Sequence, residues 1–191
     1  MPDTENHKLR VIETFVGRLQ EKAAQSPLTV FVCGPSPATG TENPGATLRD
    51  FVTKKINGRG WSAFWAEHPN FRKAGRNGWV KRINDADKEI LFATSSADLI
   101  VIFPASPGSF AELGAFSVHN AIAGKMLVIF DKKYRNDNGF LIKALSRAAR
   151  TRNATIKFRD YSNPDNVWKV IKTKLEERQI VRVTSESNVT R

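Results

Sequence analysis

The residues of this chain whose types and spacing could do chemistry gather in residues 98–116, Asp-Leu-Ile-Val-Ile-Phe-Pro-Ala-Ser-Pro-Gly-Ser-Phe-Ala-Glu-Leu-Gly-Ala-Phe. Glu112 follows the turn Ser106-Pro107-Gly108-Ser109 and is expected in or beside the first turn of a helix. Backbone N–H groups are free there and the helix carries a partial positive charge, which would hold the carboxylate ionised. Such a carboxylate suits attack on, or electrostatic support of, a developing sugar cation. The N–H groups near Gly108 and Ser109 could hold a 5′-phosphate, since glycine permits close backbone approach. Loss of a base also needs a proton, and Asp87 and Glu89, on the helix expected before the third strand, are the nearest candidates in topology. Arg49 could reach a phosphate from the helix after the first strand. Each residue has a plainer alternative. Ser109-X-X-Glu112 spells a capping box, in which the glutamate only satisfies a backbone N–H. Asp87, Glu89 and Arg49 also read as exposed helical charges, and His119 as a packed or solvated helical residue.

Several chemistries are excluded by what the sequence lacks. No Walker lysine motif follows a strand, and Pro107-Gly108-Ser109 is not the spaced triple glycine of dinucleotide dehydrogenases. His7, His68 and His119 are far apart, and the single cysteine, Cys33, lies in an apolar run. Neither a metal nor a cofactor is expected.

These residues must be positioned by strands and helices, and the apolar pattern says which. Leu99 to Phe103 is an unbroken apolar run, as in a strand buried on both faces of a parallel sheet. Leu28 to Cys33 repeats the pattern and ends in the loop Gly34-Pro35-Ser36-Pro37-Ala38-Thr39-Gly40. Asn43-Pro44 then starts a helix that reaches Asn57-Gly58. Further strands are expected over Trp61 to Ala66, Met126 to Phe130 and near Thr155 to Phe158, with an extra edge strand over Ile180 to Val183. Helices are expected over Asp85 to Ser95, from the Ser106 turn to about Gly124, over Phe140 to Ala149, and from Asn163-Pro164 to Glu177. Residues 70–82, anchored by Trp79, read as a loop or short helix covering the site. Trp61 and Trp65 read as core.

The alternation predicts an α/β fold: a single-domain, Rossmann-like (flavodoxin-type) doubly wound five-stranded parallel sheet with helices on both faces. With strand order 2-1-3-4-5, the winding changes direction between the first and third strands, where ligands bind. The Gly34 loop and the Ser106 to Ser109 loop would meet there. The expected organisation is an amino-terminal amphipathic helix packed on the domain (1–26), the α/β domain (27–184) and a disordered tail (185–191).

Composition bounds the partners. The chain has 191 residues and a net charge of +11, so its surface favours anions. Between Lys132 and Arg159 nine basic side chains (132, 133, 135, 143, 147, 150, 152, 157 and 159) face one acid, Asp137. That segment is a solvated face, a nucleic-acid contact or an attractor of phosphorylated small molecules. No run has the length of a membrane span and no apolar signal core opens the chain, so a cytoplasmic protein without membrane contact is expected.

Phe31-Val32-Cys33-Gly34, Ala97-Asp98-Leu99-Ile100-Val101-Ile102 and Glu112-Leu113-Gly114 together resemble the nucleoside 2-deoxyribosyltransferase-like superfamily, which includes nucleotide N-glycosidases. The run from Ser106 to Phe116 most resembles effectors of this superfamily encoded beside bacterial retrons and other antiphage systems. The resemblance covers about Thr29 to Tyr161. It implies that Glu112 is the nucleophile, that Gly34 and Ser36 contact the sugar or phosphate, and that an acid before the third strand assists the base. It also implies a nucleotide substrate, NAD or a nucleoside monophosphate, and self-association. A non-catalytic nucleotide sensor and a basic nucleic-acid-binding module are the alternative readings.

Overall fold

In the computed structural model, which describes residues 3–36, 43–69 and 83–186, the apolar runs form β1 (Thr29–Cys33), β2 (Ser62–Phe64), β3 (Leu99–Ile102), β4 (Met126–Asp131) and β5 (Thr155–Arg159). All neighbouring strands pair in parallel in the order β2-β1-β3-β4-β5. The helices are α1 (Asp3–Gln25), α2 (Pro44–Asn57), α3 (Asp85–Ser95), α4 (Pro107–Ser117), α5 (Asn120–Ala123), α6 (Phe140–Thr151) and α7 (Pro164–Glu186). This is the doubly wound, Rossmann-like α/β arrangement that the alternation of strands and helices predicts.

Side chains leave a strand on alternate faces, and both faces here are covered. Val30, Val32, Leu99 and Val101 pack with Leu48, Val52 and Ile56 of α2 and with Val167, Ile171 and Leu175 of α7. Phe31, Cys33, Ile100 and Ile102 turn the other way, onto Ala93 of α3, Leu113 and Phe116 of α4 and Ala149 of α6. Every residue of β3 is fully buried. At roughly 1.5–3 kcal/mol for each large apolar side chain buried, this central strand is a main source of stability. Edge strand β5 carries the exposed Lys157, a charge that discourages a further strand from adding there.

The opposite end of the sheet from the strand carboxyl ends is tied by one carboxylate. Asp98 Oδ2 accepts from the Thr29 backbone N–H at 2.7 Å and from Arg182 Nη1 at 2.9 Å. Arg182 also donates to the Pro27 carbonyl at 3.2 Å, so β1, β3 and α7 are joined at one point.

Five expectations need correction. Ile180 to Val183 is not an edge strand, because α7 continues through it to Glu186. Val183 is buried, Arg182 reaches Asp98, and Gln179 Nε2 donates to the Ala23 carbonyl at 2.5 Å, contacts that only the helical course supplies. The helix after β3 is not continuous to Gly124: α4 ends at Ser117, and the exposed His119 sits in extended backbone before α5. The second strand is shorter than Trp61 to Ala66. Trp61 is core as expected, whereas Trp65 is half-buried and meets the His68 ring edge-on. Helix α1 does meet α7, where Gln179 reaches the Ala23 carbonyl, but much of its apolar stripe is left in solvent, with Leu9, Ile12 and Phe15 about 60% exposed. Residues 37–40 of the first loop, the covering segment 70–82 with Trp79, and tail residues 187–191 lie outside the described residues.

Replacing Asp98 with alanine leaves the Thr29 N–H and the Arg182 guanidinium without their shared acceptor. Urea unfolding is expected to show a loss of about 1–3 kcal/mol. An unchanged midpoint would show that the junction contributes nothing.

Candidate active site

A crevice of about 800 Å³ opens where the winding of the sheet changes direction, between α3 and α4. Gly34 and Ser36 enter it from the loop after β1, and Ala66 and Glu67 from the loop after β2. Asp85, Lys88, Glu89 and Ile90 line it from α3; Ser106, Gly108, Ser109, Glu112 and Phe116 line it from α4 and its approach. The structure thus brings together Glu112, Glu89, Gly34, Ser36, Ser106, Gly108 and Ser109. Asp87 and Arg49 do not line the crevice.

The α4 amino terminus is capped differently from the spacing Ser109-X-X-Glu112. Ser106 is the N-cap, and its partner in the capping box is Ser109. Ser109 Oγ accepts from the Ala105 and Ser106 N–H groups at 3.0 and 2.9 Å and donates to the Ser106 carbonyl at 2.9 Å. Ser109 is 1% exposed, so its hydroxyl locks the loop instead of facing a ligand. Gly108 contributes differently: a Cβ there would meet nothing within 4 Å, so the backbone opens on to the crevice.

With capping done by two serines, Glu112 is released from that role. It stands in the second turn of α4, beyond the reach of the helix-end charge that would have held it ionised. Its Oε2 is buried and has no hydrogen-bond partner among the described residues. Burial first, and then the Glu89 carboxylate, push its pKa up to about 8, while Arg49 opposes them, Glu67 adds to them and the Cys33 thiol opposes weakly. Glu89 is raised to about 7, by burial and by Glu67 and Asp85, again against Arg49. Burial also pushes the Cys33 thiol, at the end of β1, well above its usual value, with Glu112 adding to the effect. Burial thus works against the ionised form of Glu112 that the helix-end charge was expected to favour. Burial and neighbouring acids raise both Glu112 and Glu89 of the crevice toward neutrality.

The two remaining predicted residues have other work. Asp87 is exposed and closes the start of α3: its N–H donates to Asn84 Oδ1 at 2.8 Å, and Asn84 Nδ2 donates to its carboxylate at 2.5 Å. Asp85 and Glu89, four apart, share the helical face that turns to the crevice, while Asp87 does not. Arg49 is neither an exposed helical charge nor open to a phosphate, being 3% exposed. Its Nη1 donates to the Gly34 carbonyl and its Nη2 to Glu67 Oε2, both at 2.5 Å.

Glu67, Asp85 and Lys88 are crevice residues that the sequence pattern did not single out. Glu67 had a signal: it follows β2 as Gly34 follows β1, and the carboxyl ends of the strands face the ligand in such sheets. Lys88 is paired with Asp85 at 3.0 Å. None of the nine basic residues of segment 132–159 lines the crevice. Lys132 pairs with Asp160 and Lys133 with Asp131, whereas Lys143, Arg147 and Arg150 stand exposed on α6. Among the described residues no group of His, Cys, Asp and Glu is arranged to hold a metal, and no helix is long and apolar enough to cross a membrane.

Comparison with known proteins bears on the same residues. The "Retron Ec86 putative ribosyltransferase/DNA-binding protein" of Escherichia coli is 38% identical over 68 residues, covering 36% of this chain and 22% of that protein. The chain therefore matches about a fifth of that relative's length. A family model described as "STM3845 retron effector protein" matches residues 48–190, a span that holds Arg49, Glu67, Glu89 and Glu112 and leaves β1 outside. By that match, which takes in most of the sheet and three of the crevice's walls, the chain belongs to the STM3845 retron effector protein family.

Proposed function

We propose that the crevice cleaves the bond between base and sugar of a nucleotide, NAD or a nucleoside monophosphate, as the enzymatic arm of a retron defence system. The observation that carries this reading is the Glu112 carboxyl, buried with an unpartnered oxygen in a crevice that holds a second half-buried carboxyl. Two carboxyls in the same crevice whose pKa values are raised to about 7 and about 8 provide an acid and a base in one site near neutral pH. The "ribosyltransferase" in the name of the Escherichia coli relative supports the same chemistry, as does the likeness to nucleoside 2-deoxyribosyltransferases.

In this mechanism the C1′–N bond breaks with its electron pair going to the base; where the base would leave as an anion, as from a nucleoside monophosphate, Glu89 delivers a proton to a base nitrogen, whereas nicotinamide leaves NAD neutral and takes none. Positive charge building on the sugar favours the arrangement in which Glu112 is the anion and the proton lies on Glu89. Glu112 then bonds to C1′ or holds the cation until water attacks. The water's proton returns to the carboxylate of Glu89. The open backbone at Gly108 and the Gly34-Ser36 loop are placed to receive the sugar and its phosphate.

A nucleic-acid contact outside the crevice is a second reading, favoured by the exposed Lys143, Arg147 and Arg150 and by the "DNA-binding" in the relative's name. Charge reversal at Arg147 and Arg150 is expected to weaken binding of a single-stranded oligonucleotide and flatten its salt dependence by about one unit of log–log slope per lost contact. Binding with an unaltered slope would remove this reading.

Base release, followed by chromatography after incubation with NAD and a panel of nucleotides, tests the main reading. Glu112→Gln and Glu89→Gln are expected to stay folded and to lose about 10²- to 10⁴-fold in turnover of the nucleoside monophosphates. The wild-type rate should be bell-shaped in pH around the values of about 7 and about 8. Below the bell both carboxyls are protonated and the nucleophile is lost; above it both are ionised and the donor is lost. With NAD, whose nicotinamide leaves without a proton, the alkaline fall should vanish. Equal turnover by Glu112→Gln would rule the mechanism out.

A further inference from the structure

Arg49 is a buried cation in a protein with surplus cations to spare, and its contacts show why it is inside. It projects from α2 and reaches two other segments at once: the Gly34 carbonyl after β1 and the Glu67 carboxylate after β2, each at 2.5 Å. Both of those residues line the crevice, whereas Arg49 does not. Gly34 is itself confined, since a Cβ there would come within 3.3 Å of Phe103 Cβ and 3.4 Å of Arg49 Cδ. The guanidinium fork suits this task, because its planar N–H groups diverge at fixed angles and stay charged when buried. An ammonium group could make either contact but not hold both directions rigidly.

We propose that Arg49 is the positioning residue of the crevice: its buried guanidinium braces the loop after β1 against the loop after β2 and does not touch the substrate. This rests on the glycosidic reading of the site and assigns it a support that neither the sequence pattern nor the family match names. The charge has a second consequence. Arg49 opposes the upward push on both Glu112 and Glu89, so it keeps the pair close enough to neutrality for one carboxyl to ionise.

The role is distinguishable from that of a phosphate ligand. Arg49→Met removes both arms and the charge, and Arg49→Lys retains the charge and one arm. A positioning role predicts that kcat falls about 100-fold in Arg49→Met and about 10-fold in Arg49→Lys. The fall should be equal for a nucleoside monophosphate and its nucleoside, with KM little changed. A phosphate ligand would instead raise KM for the monophosphate alone, and that result would overturn the proposal.

An activity-independent readout accompanies the kinetics. In protein carrying carbon-13 glutamate carboxyls, the titration midpoints of Glu112 and Glu89 should rise in Arg49→Met and stay near wild type in Arg49→Lys. Unmoved midpoints and turnover in a folded Arg49→Met would overturn the proposal. Should Arg49→Met not fold, Arg49→Lys still decides through its kcat loss at constant KM. If wild type releases no base from any substrate, the glycosidic reading fails, and the brace is then decided by the backbone NMR signals of Gly34 and Glu67, which should both shift in Arg49→Lys; unmoved signals would overturn it.

Discussion

The constraint on which the site depends is the burial of the Glu112 carboxyl with one oxygen unpartnered. A carboxylate in that position is costly because, among the described residues, only the weak Cys33 thiol donor and no strong one replaces its lost water. The chain limits the cost by letting Glu112 keep a proton to about pH 8 and by placing Arg49 within electrostatic reach. The fold supplies the surroundings. Leu113 and Phe116 bury one side of α4 against the sheet, Cys33 ends β1 beside Glu112, and the Ser106–Ser109 lock fixes where α4 begins. A shift of α4 by one residue would turn Glu112 by about 100° and take it out of the crevice.

Charge is divided in a way that composition does not disclose. The whole chain carries +11, yet the described residues that line the crevice include Glu67, Asp85, Glu89 and Glu112 against Lys88 alone. Among the described residues, the cations of α6 and of the turn after β4 lie away from the crevice, and two of those at the turn are already paired. Net charge therefore says what the exterior attracts, while the interior of the site follows its own acids.

Much of the fold was legible because strands buried on both faces leave unbroken apolar runs, as Leu99 to Ile102 does, and because Asn-Pro pairs mark helix starts at residues 43–44 and 163–164. Ile180 to Val183 misled for a physical reason. Three β-branched residues suggest a strand, but tertiary contacts of Gln179, Arg182 and Val183 outweigh a propensity worth a few tenths of a kcal/mol per residue. Part of the site was legible from topology, namely the convergence of the loops after β1 and β3. The roles of Ser109 and Arg49 were not, because Ser-X-X-Glu and Ser-X-X-Ser compete for the same helix start and a sequence does not tell a buried arginine from an exposed one. Helical spacing groups Glu89 with Asp85 and apart from Asp87, but which face meets the crevice is fixed by the packing of α3.

The stability of wild type and Glu112→Gln measured by urea unfolding across pH 4 to 9 tests the buried proton most directly. A carboxyl raised from 4.5 to about 8 on folding stabilises fully below about pH 4.5, and that contribution is lost as pH rises through the folded value. Wild type should therefore lose stability relative to Glu112→Gln steadily between those limits, by about 1.4 kcal/mol for each pH unit crossed. Parallel curves for the two proteins over that range would contradict the account, because Glu112 would then be an ordinary solvated carboxylate and the crevice would have no buried proton to use.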